Sequence, residues 1–162
     1  MTRNPYEPPK AEIADPLQDG TWPALWNPGA AANWSLLFSS AFGAFLHMKN
    51  WEALGEPGKA ATAKKWFVVT LAVLAAAPVF SVVLPDNKSV DASFRLATFA
   101  LLVGWYASSG RGQMRVVKSK FGKLYPRQGW GKPILMGVLA LIGYFLYAVV
   151  IVFLGSLVTH RH

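Results

Sequence analysis

From Pro133 to Val158 the chain reads PILMGVLALIGYFLYAVVIVFLGSLV, twenty-six residues without one charge. About 20 apolar residues match the hydrocarbon thickness of a bilayer, so this run predicts a spanning helix that tilts or protrudes. Trp66 to Leu84 makes the same prediction with nineteen uncharged residues, preceded by Lys64 and Lys65 and closed by Pro85-Asp86-Asn87. Pro78 lies inside it and is expected to free the carbonyl of Leu74, a defect that neighbouring helices or Ser81 can cover. A third segment, Ala92 to Gly110, is less apolar. Arg95 near its start can extend to the headgroups, and Trp105 and Tyr106 are expected near the opposite interface, where aromatic rings with a polar tip are favoured. The expected fold class is an all-α integral membrane protein with three strong transmembrane helices.

The remaining composition fits that class. Of 162 residues 53% are hydrophobic and only 15% charged, less charge than a soluble domain of this length carries. The net charge is +8, and all eight acids lie at or before Asp91 while basic residues continue to Arg161. Such asymmetry points to an electrostatic partner, and long apolar runs between the basic clusters favour anionic lipid headgroups over nucleic acid. There is no cysteine, which excludes disulfides, thiolate nucleophiles and cysteine metal sites.

Residues 111 to 132, RGQMRVVKSKFGKLYPRQGWGK, hold seven Lys or Arg and no acid. Met114, Val117, Phe121 and Leu124 recur at three, four and three, a helical apolar stripe. The stripe predicts a basic amphipathic helix at the interface, with Arg111, Arg115, Lys118, Lys120, Lys123 and Arg127 as candidate anionic-lipid contacts. A solvated basic loop that only fixes topology is the alternative. Residues 48 to 65 add Lys49, Lys59, Lys64 and Lys65, whereas the Pro85 to Arg95 connection has only Lys88 and Arg95. The positive-inside bias therefore places loops 48–65 and 111–132 of a multi-pass membrane protein in the cytoplasm.

The stretch NWSLLFSSAFGAFLHMKNW, residues 33 to 51, is two-sided. Ser35, Ser39, Ser40, Gly43, His47 and Asn50 gather on one side of a helical wheel, a candidate partner-binding polar face, and apolar residues cover the rest. This predicts an amphipathic or re-entrant helix over about 30–48, with a fourth spanning helix as the alternative. Crossing would export the preceding residues without a signal peptide, which favours re-entry. Those residues, 1–29, carry Pro5, Pro8, Pro9, Pro16 and Pro23 and are expected to form a flexible tail, with Tyr6 in NPYEPP as a possible docking anchor. The rest, 30–162, is expected to be one helical membrane domain with segments near 30–48, 66–84, 92–110 and 133–158.

In the last segment Gly137, Ala140 and Tyr144 share a face, with Gly143 and Tyr147 beside it, so these five are candidates for helix packing. Chemistry is sparse. His47 has no acid or cysteine near it in sequence, His160 and His162 sit at the chain end, and GRGQ at 110–113 lacks the context of a phosphate loop. No catalytic, cofactor or metal residues are assigned. The expected role is non-enzymatic: binding a membrane-protein partner or a second copy, as an accessory subunit or as an immunity-type protector against a membrane-targeting toxin. The alternatives are a small oligomeric channel lined by Ser39, Ser40, Thr70 or Ser81, and a membrane-bound enzyme acting on lipid.

The run WNPGAAANWSLLFSSAFGAFLHMKNWEALGEPGKA, residues 26–60, resembles a WNPxAAxxWSLLF segment of uncharacterised small bacterial inner-membrane proteins, and NPYEPP at 4–9 resembles their amino-terminal NPYxPP signature. Some of those proteins carry a peptide-binding module of the GYF type ahead of the WNP segment, which would imply a cytoplasmic tail, but the residues ahead of that segment in this sequence do not match such a module. The resemblance implies bacterial membrane residence and assigns no chemistry to any residue.

Overall fold

A computed structural model describes residues 22–84 and 88–159. The elements are α1 (Pro28–Phe38), α2 (Ser40–Ala53), α3 (Pro57–Val83), α4 (Lys88–Trp105), a π-helical turn (Tyr106–Gly110), α5 (Arg111–Phe121) and α6 (Gly131–Thr159). Among the described residues there is no strand, only a single bridge between Leu25 and Arg127. The tail motif at 4–9 and the terminal histidines lie outside the described residues.

The stretch expected as one helix over 30–48 is two helices folded back on each other. Asn27 caps α1 by accepting from the backbone N–H groups of Gly29 and Ala30, and Pro28 occupies the first turn, where its missing N–H costs nothing. Ser39 breaks the run with φ 94° and ψ 161°, a region that is normally glycine's. The two arms then run antiparallel. Ser35 meets Gly43 near the tip, Pro28 meets His47 lower down, and Trp26 meets Asn50 at the open end. Gly43 is the close-approach point: a Cβ there would collide with both Ser35 Oγ and the Trp105 ring. At 1.5 Å per residue the arms are about 16 and 21 Å long, well short of a bilayer's hydrocarbon core of about 30 Å.

Packing registers fix the remaining directions. Phe45 against Phe67 and Ser40 against Thr70 make α2 and α3 antiparallel. Trp66 against Gly104 and Phe80 against Phe94 do the same for α3 and α4. Tyr147 on Ala75 and Gly155 on Val82 keep a nearly constant offset, so α3 and α6 run parallel. Consequently α1, α3 and α6 all start at one end of the molecule. The residues 54–56, the N-terminal segment and the 122–130 connection meet at that same end, which holds the two basic segments.

Among the described residues two helices, α3 and α6, are long and apolar enough to cross a membrane. Only 11% and 6% of their apolar windows are buried within the protein, far less than a soluble core helix requires. Leu139, Leu146, Val149, Val152 and Phe153 on α6 stand exposed, as do Val68, Val69 and Phe80 on α3. The helix that carries most of the third expected segment, α4, starts four residues earlier and does not share their composition, because Lys88, Asp91 and Arg95 fall within its first eight residues. Pro78 is accommodated inside α3, and Ser81 donates to the Pro78 carbonyl at 2.8 Å rather than to that of Leu74.

The chain stays helical from α4 through the π turn into α5, since Trp105, Gly110 and Arg111 all keep right-handed α dihedrals. Eight positions separate Trp105 from Gln113, which in an unbroken α-helix would rotate them apart by about 80°. The extra residue of the π turn cuts this to about 20°, so both side chains face the hairpin. Trp105, expected near an interface, is instead completely buried against His47 and Gly43.

The expected amphipathic helix over 111–132 covers 111–121 only, and its apolar stripe is already occupied by the chain itself. Val117 packs with Leu25 and Tyr125, and Trp22, Leu54 and Phe121 close around them. Of the stripe, Leu124 alone is open, at 85% exposure. This core also corrects the tail boundary: residues 22–29 are built into the fold. Leu25 donates its N–H to Pro126 O and accepts from Gln128 N–H, both at 3.0 Å, and Trp26 Nε1 donates to Gly129 O.

Two stability changes follow. Ser39→Gly removes the unfavourable backbone conformation and is expected to raise stability by about 1–2 kcal/mol. Gly43→Val forces Ser35 and Trp105 apart and is expected to cost about 2–4 kcal/mol. Thermal unfolding of the detergent-solubilised protein checks both, and an unchanged or lower midpoint for Ser39→Gly counts against strain at the tip.

Candidate functional site

The polar face of residues 35–50 closes into a seam inside the molecule. Asn50 is its centre: its Oδ1 accepts the Trp26 N–H at 3.0 Å, and its Nδ2 donates to Trp26 O at 2.8 Å and to Gln113 Oε1 at 3.1 Å. Gln113 Nε2 in turn donates to His47 O at 2.8 Å. Two carboxamides therefore satisfy the backbone at three places where α1, α2 and α5 converge, the condition under which buried polar groups stabilise. Nearer the tip, the Ser40 and Thr70 hydroxyls bond at 3.1 Å and Ser35 donates to Ala31 O at 2.8 Å.

His47 donates Nε2–H to the Pro28 carbonyl at 3.2 Å, since a carbonyl can only accept. Nδ1 is then an acceptor, and it and the Trp105 Nε1 donor are the two buried side-chain polar atoms without a hydrogen-bond partner among the described residues. The two rings lie 5.1 Å apart. Burial holds the imidazole neutral, lowering its pKa from 6.5 to about 4, while the Pro28 contact pushes weakly the other way.

This arrangement overturns the expectation that Ser35, Ser39, Ser40, Gly43, His47 and Asn50 present a surface to a partner. All but Ser39 are buried, and the half-buried Ser39 sits at the tip. The amphipathicity is real, but its polar side faces α1, α3 and the α4–α5 helix. Of the residues that complete the seam, Thr70 was expected only as a channel lining and Trp105 only at an interface, and Gln113 and Trp26 were not assigned a role by the sequence pattern. Gln113 carried the one available signal, as an uncharged polar residue beside a stripe in an otherwise basic helix.

The packing candidates converge elsewhere. Gly137, Ala140, Gly143, Tyr144 and Tyr147 all line one apolar groove of about 770 Å³ between the hairpin tip, α3 and α6. Leu37, Phe38, Phe42 and Phe45 supply the hairpin wall, and Phe67, Leu71, Leu74 and Ala75 the α3 wall. Gly137 is in contact with the Phe38 ring, where a Cβ would lie 3.0 Å from it, so this glycine lets the hairpin tip approach α6. The Tyr147 hydroxyl donates to Ala75 O at 2.7 Å and pins the far side of the groove. The volume falls in the range of small-molecule sites, and the lining is chiefly hydrocarbon and aromatic.

Arg111, Arg115, Lys118, Lys120, Lys123 and Arg127 are all exposed at the basic end. Arg127 lies 5.9 Å from the Tyr125 ring, which orients it beside the small core around Leu25. No group of three or more His, Cys, Asp or Glu that could hold a metal occurs among the described residues. Comparisons with protein-family profiles, curated proteins and solved structures found no match.

The buried histidine makes stability depend on pH in a defined direction. Between pH 6.5 and 4 the unfolded chain takes up a proton that folded His47 refuses, so stability is complete above pH 6.5 and declines as pH falls toward 4. The full loss is about 3 kcal/mol. Unfolding midpoints measured at pH 7.5 and 4.5 are expected to differ accordingly, and His47→Gln is expected to flatten that difference.

Proposed function

We propose that this is a multi-pass inner-membrane protein, without enzymatic activity, that acts by holding a second membrane component in the groove between the hairpin, α3 and α6. One observation carries this reading: the small and aromatic residues of α6 and the tip of the hairpin come together on a single apolar recess that opens among exposed hydrocarbon side chains. An apolar surface of that extent is unfavourable in water and ordinary in lipid. On this reading α3, α4 and α6 span the membrane and the α1–α2 hairpin enters from one side and returns. Arg95 and Lys88 at the start of α4 then reach the headgroups opposite the basic end. The positive-inside bias puts the 48–65 and 111–132 segments, and with them the chain ahead of Trp22, in the cytoplasm.

The biological roles that suit such a binder are an accessory subunit of a membrane complex or a protector against a membrane-targeting toxin. A channel is the second reading, favoured by the recess of about 240 Å³ among Ser35, Ser39, Ser40, Thr70 and Thr98. Those hydroxyls are largely spent on one another or on their own helices, which weakens it.

Two measurements test the proposal. Because the chain has no cysteine, single cysteines introduced at Lys88 and Leu124 are expected to react with impermeant reagents from opposite faces of intact cells, the former from outside. Labelling of both from one side would remove the topology. A photoreactive residue at Leu141, within the groove, is expected to yield an adduct with a membrane component in clear excess over the same residue at Val152 on the outer face of α6. Equal adducts, together with ion conduction by a homo-oligomer in planar bilayers, would transfer the function to the channel.

A further inference from the structure

Both helices that flank the groove carry a lysine at its basic end. On α3 the lining residues Phe67, Leu71 and Leu74 recur at four and three, and the same row one step earlier is Lys64. On α6 the row through Ala140 and Met136 leads back by four to Lys132. Each lysine therefore lies about one helical turn below the lining, some 4–6 Å along the axis. Both are exposed, and the ion pairs found among the described residues, Lys49–Glu52 and Lys59–Glu56, involve neither. Trp130, its ring 6.5 Å from that of Trp34, stands just before α6 at this level, where an interface favours indole.

An apolar slot with an exposed lysine about one turn beyond its lining on each flanking helix has the polarity of an amphiphile turned inside out. We propose that the groove binds one anionic phospholipid, an acyl chain between the hairpin tip, α3 and α6 and the phosphate between Lys64 and Lys132. This rests on the reading that the groove takes a membrane component, and it names the chemistry of that component. A peptide helix fits the slot less well. Its diameter of about 10 Å calls for a shallow small-residue face, whereas Gly137 is already covered by Phe38 and the Tyr147 hydroxyl is already spent on Ala75. A second copy docked through the same face about a twofold axis would bring the same lysines against these two, and like charges repel. The six basic residues of the 111–127 region have charge but no comparable slot, since the stripe beneath them packs on Leu25 and Trp22.

The test uses the full chain in mild detergent, with phosphatidylglycerol and phosphatidylcholine of matched acyl length as probes and native mass spectrometry as the readout. The expected result is one phosphatidylglycerol retained per chain, with at least tenfold preference over phosphatidylcholine. The Lys64→Gln/Lys132→Gln double variant, which changes only exposed positions, is expected to bring the two lipids to parity. Ala140→Phe, which fills the slot, is expected to abolish retention of both, with unfolding temperature as its folding control. Arg115→Gln/Lys118→Gln/Lys120→Gln is expected to keep the preference. No preference in the parent, a preference that survives the double lysine variant, or one lost only in the triple variant would overturn the proposal. The groove photoadduct separates its failure from that of the broader reading: a protein adduct sinks the lipid and keeps the binder, whereas no excess adduct sinks both.

Discussion

The carboxamide of Asn50 holds both backbone groups of Trp26, and the rest of the hairpin depends on that closure. A peptide unit at the mouth of a helical hairpin has lost its helical partners on one side and water on the other. By acting as donor and acceptor to the same residue, Asn50 replaces both at once, and Gln113 ties the arrangement to the helix arriving from α4. The strained conformation at Ser39 becomes tolerable only because the two arms are fastened at their other end. A local backbone cost at the tip is thus offset by the hydrogen-bonded carboxamides of Asn50 and Gln113, about 16 Å away along α2.

The same closure explains which parts of the fold were legible in the sequence. The segments beginning at Trp66 and Pro133 needed no periodicity, since an uncharged run longer than a soluble helix can bury has few alternatives. The wheel of residues 33–51 sorted polar from apolar correctly and gave their direction wrongly. Amphipathicity says that two sides differ, and which side meets protein depends on partners such as Thr70 and Gln113 that are distant in sequence. The break at Ser39 left no mark at all, because neither glycine nor proline stands there and Ser-Ser is unremarkable inside a helix.

The basic region shows the converse difficulty. The stripe Met114, Val117, Phe121 was visible, and with flanking charges it matches a helix lying on lipid. What covers it is the chain's own Trp22–Leu25, a stretch that Pro23 and the prolines ahead of it made look like tail. Only the π turn, which rotates α5 into register with Trp105, brings that helix face round to meet it, and a one-residue insertion in helical phase has no sequence signature. Lys64 and Lys132 were legible as charge but not as flanking one groove, because only the parallel packing of α3 and α6 puts both at its basic end.

The bond from Trp26 to Gly129 spans 103 positions. A ribosome delivers the hairpin early, yet the segment that seats its entrance emerges only after α3, α4 and α5 have been made. Closing so long a loop cannot precede its own synthesis, so α1 and α2 must wait, held by their mutual contacts, until the start of α6 arrives. The first described residues to be translated are among the last to be fixed in place, which makes the order of assembly a property of the fold.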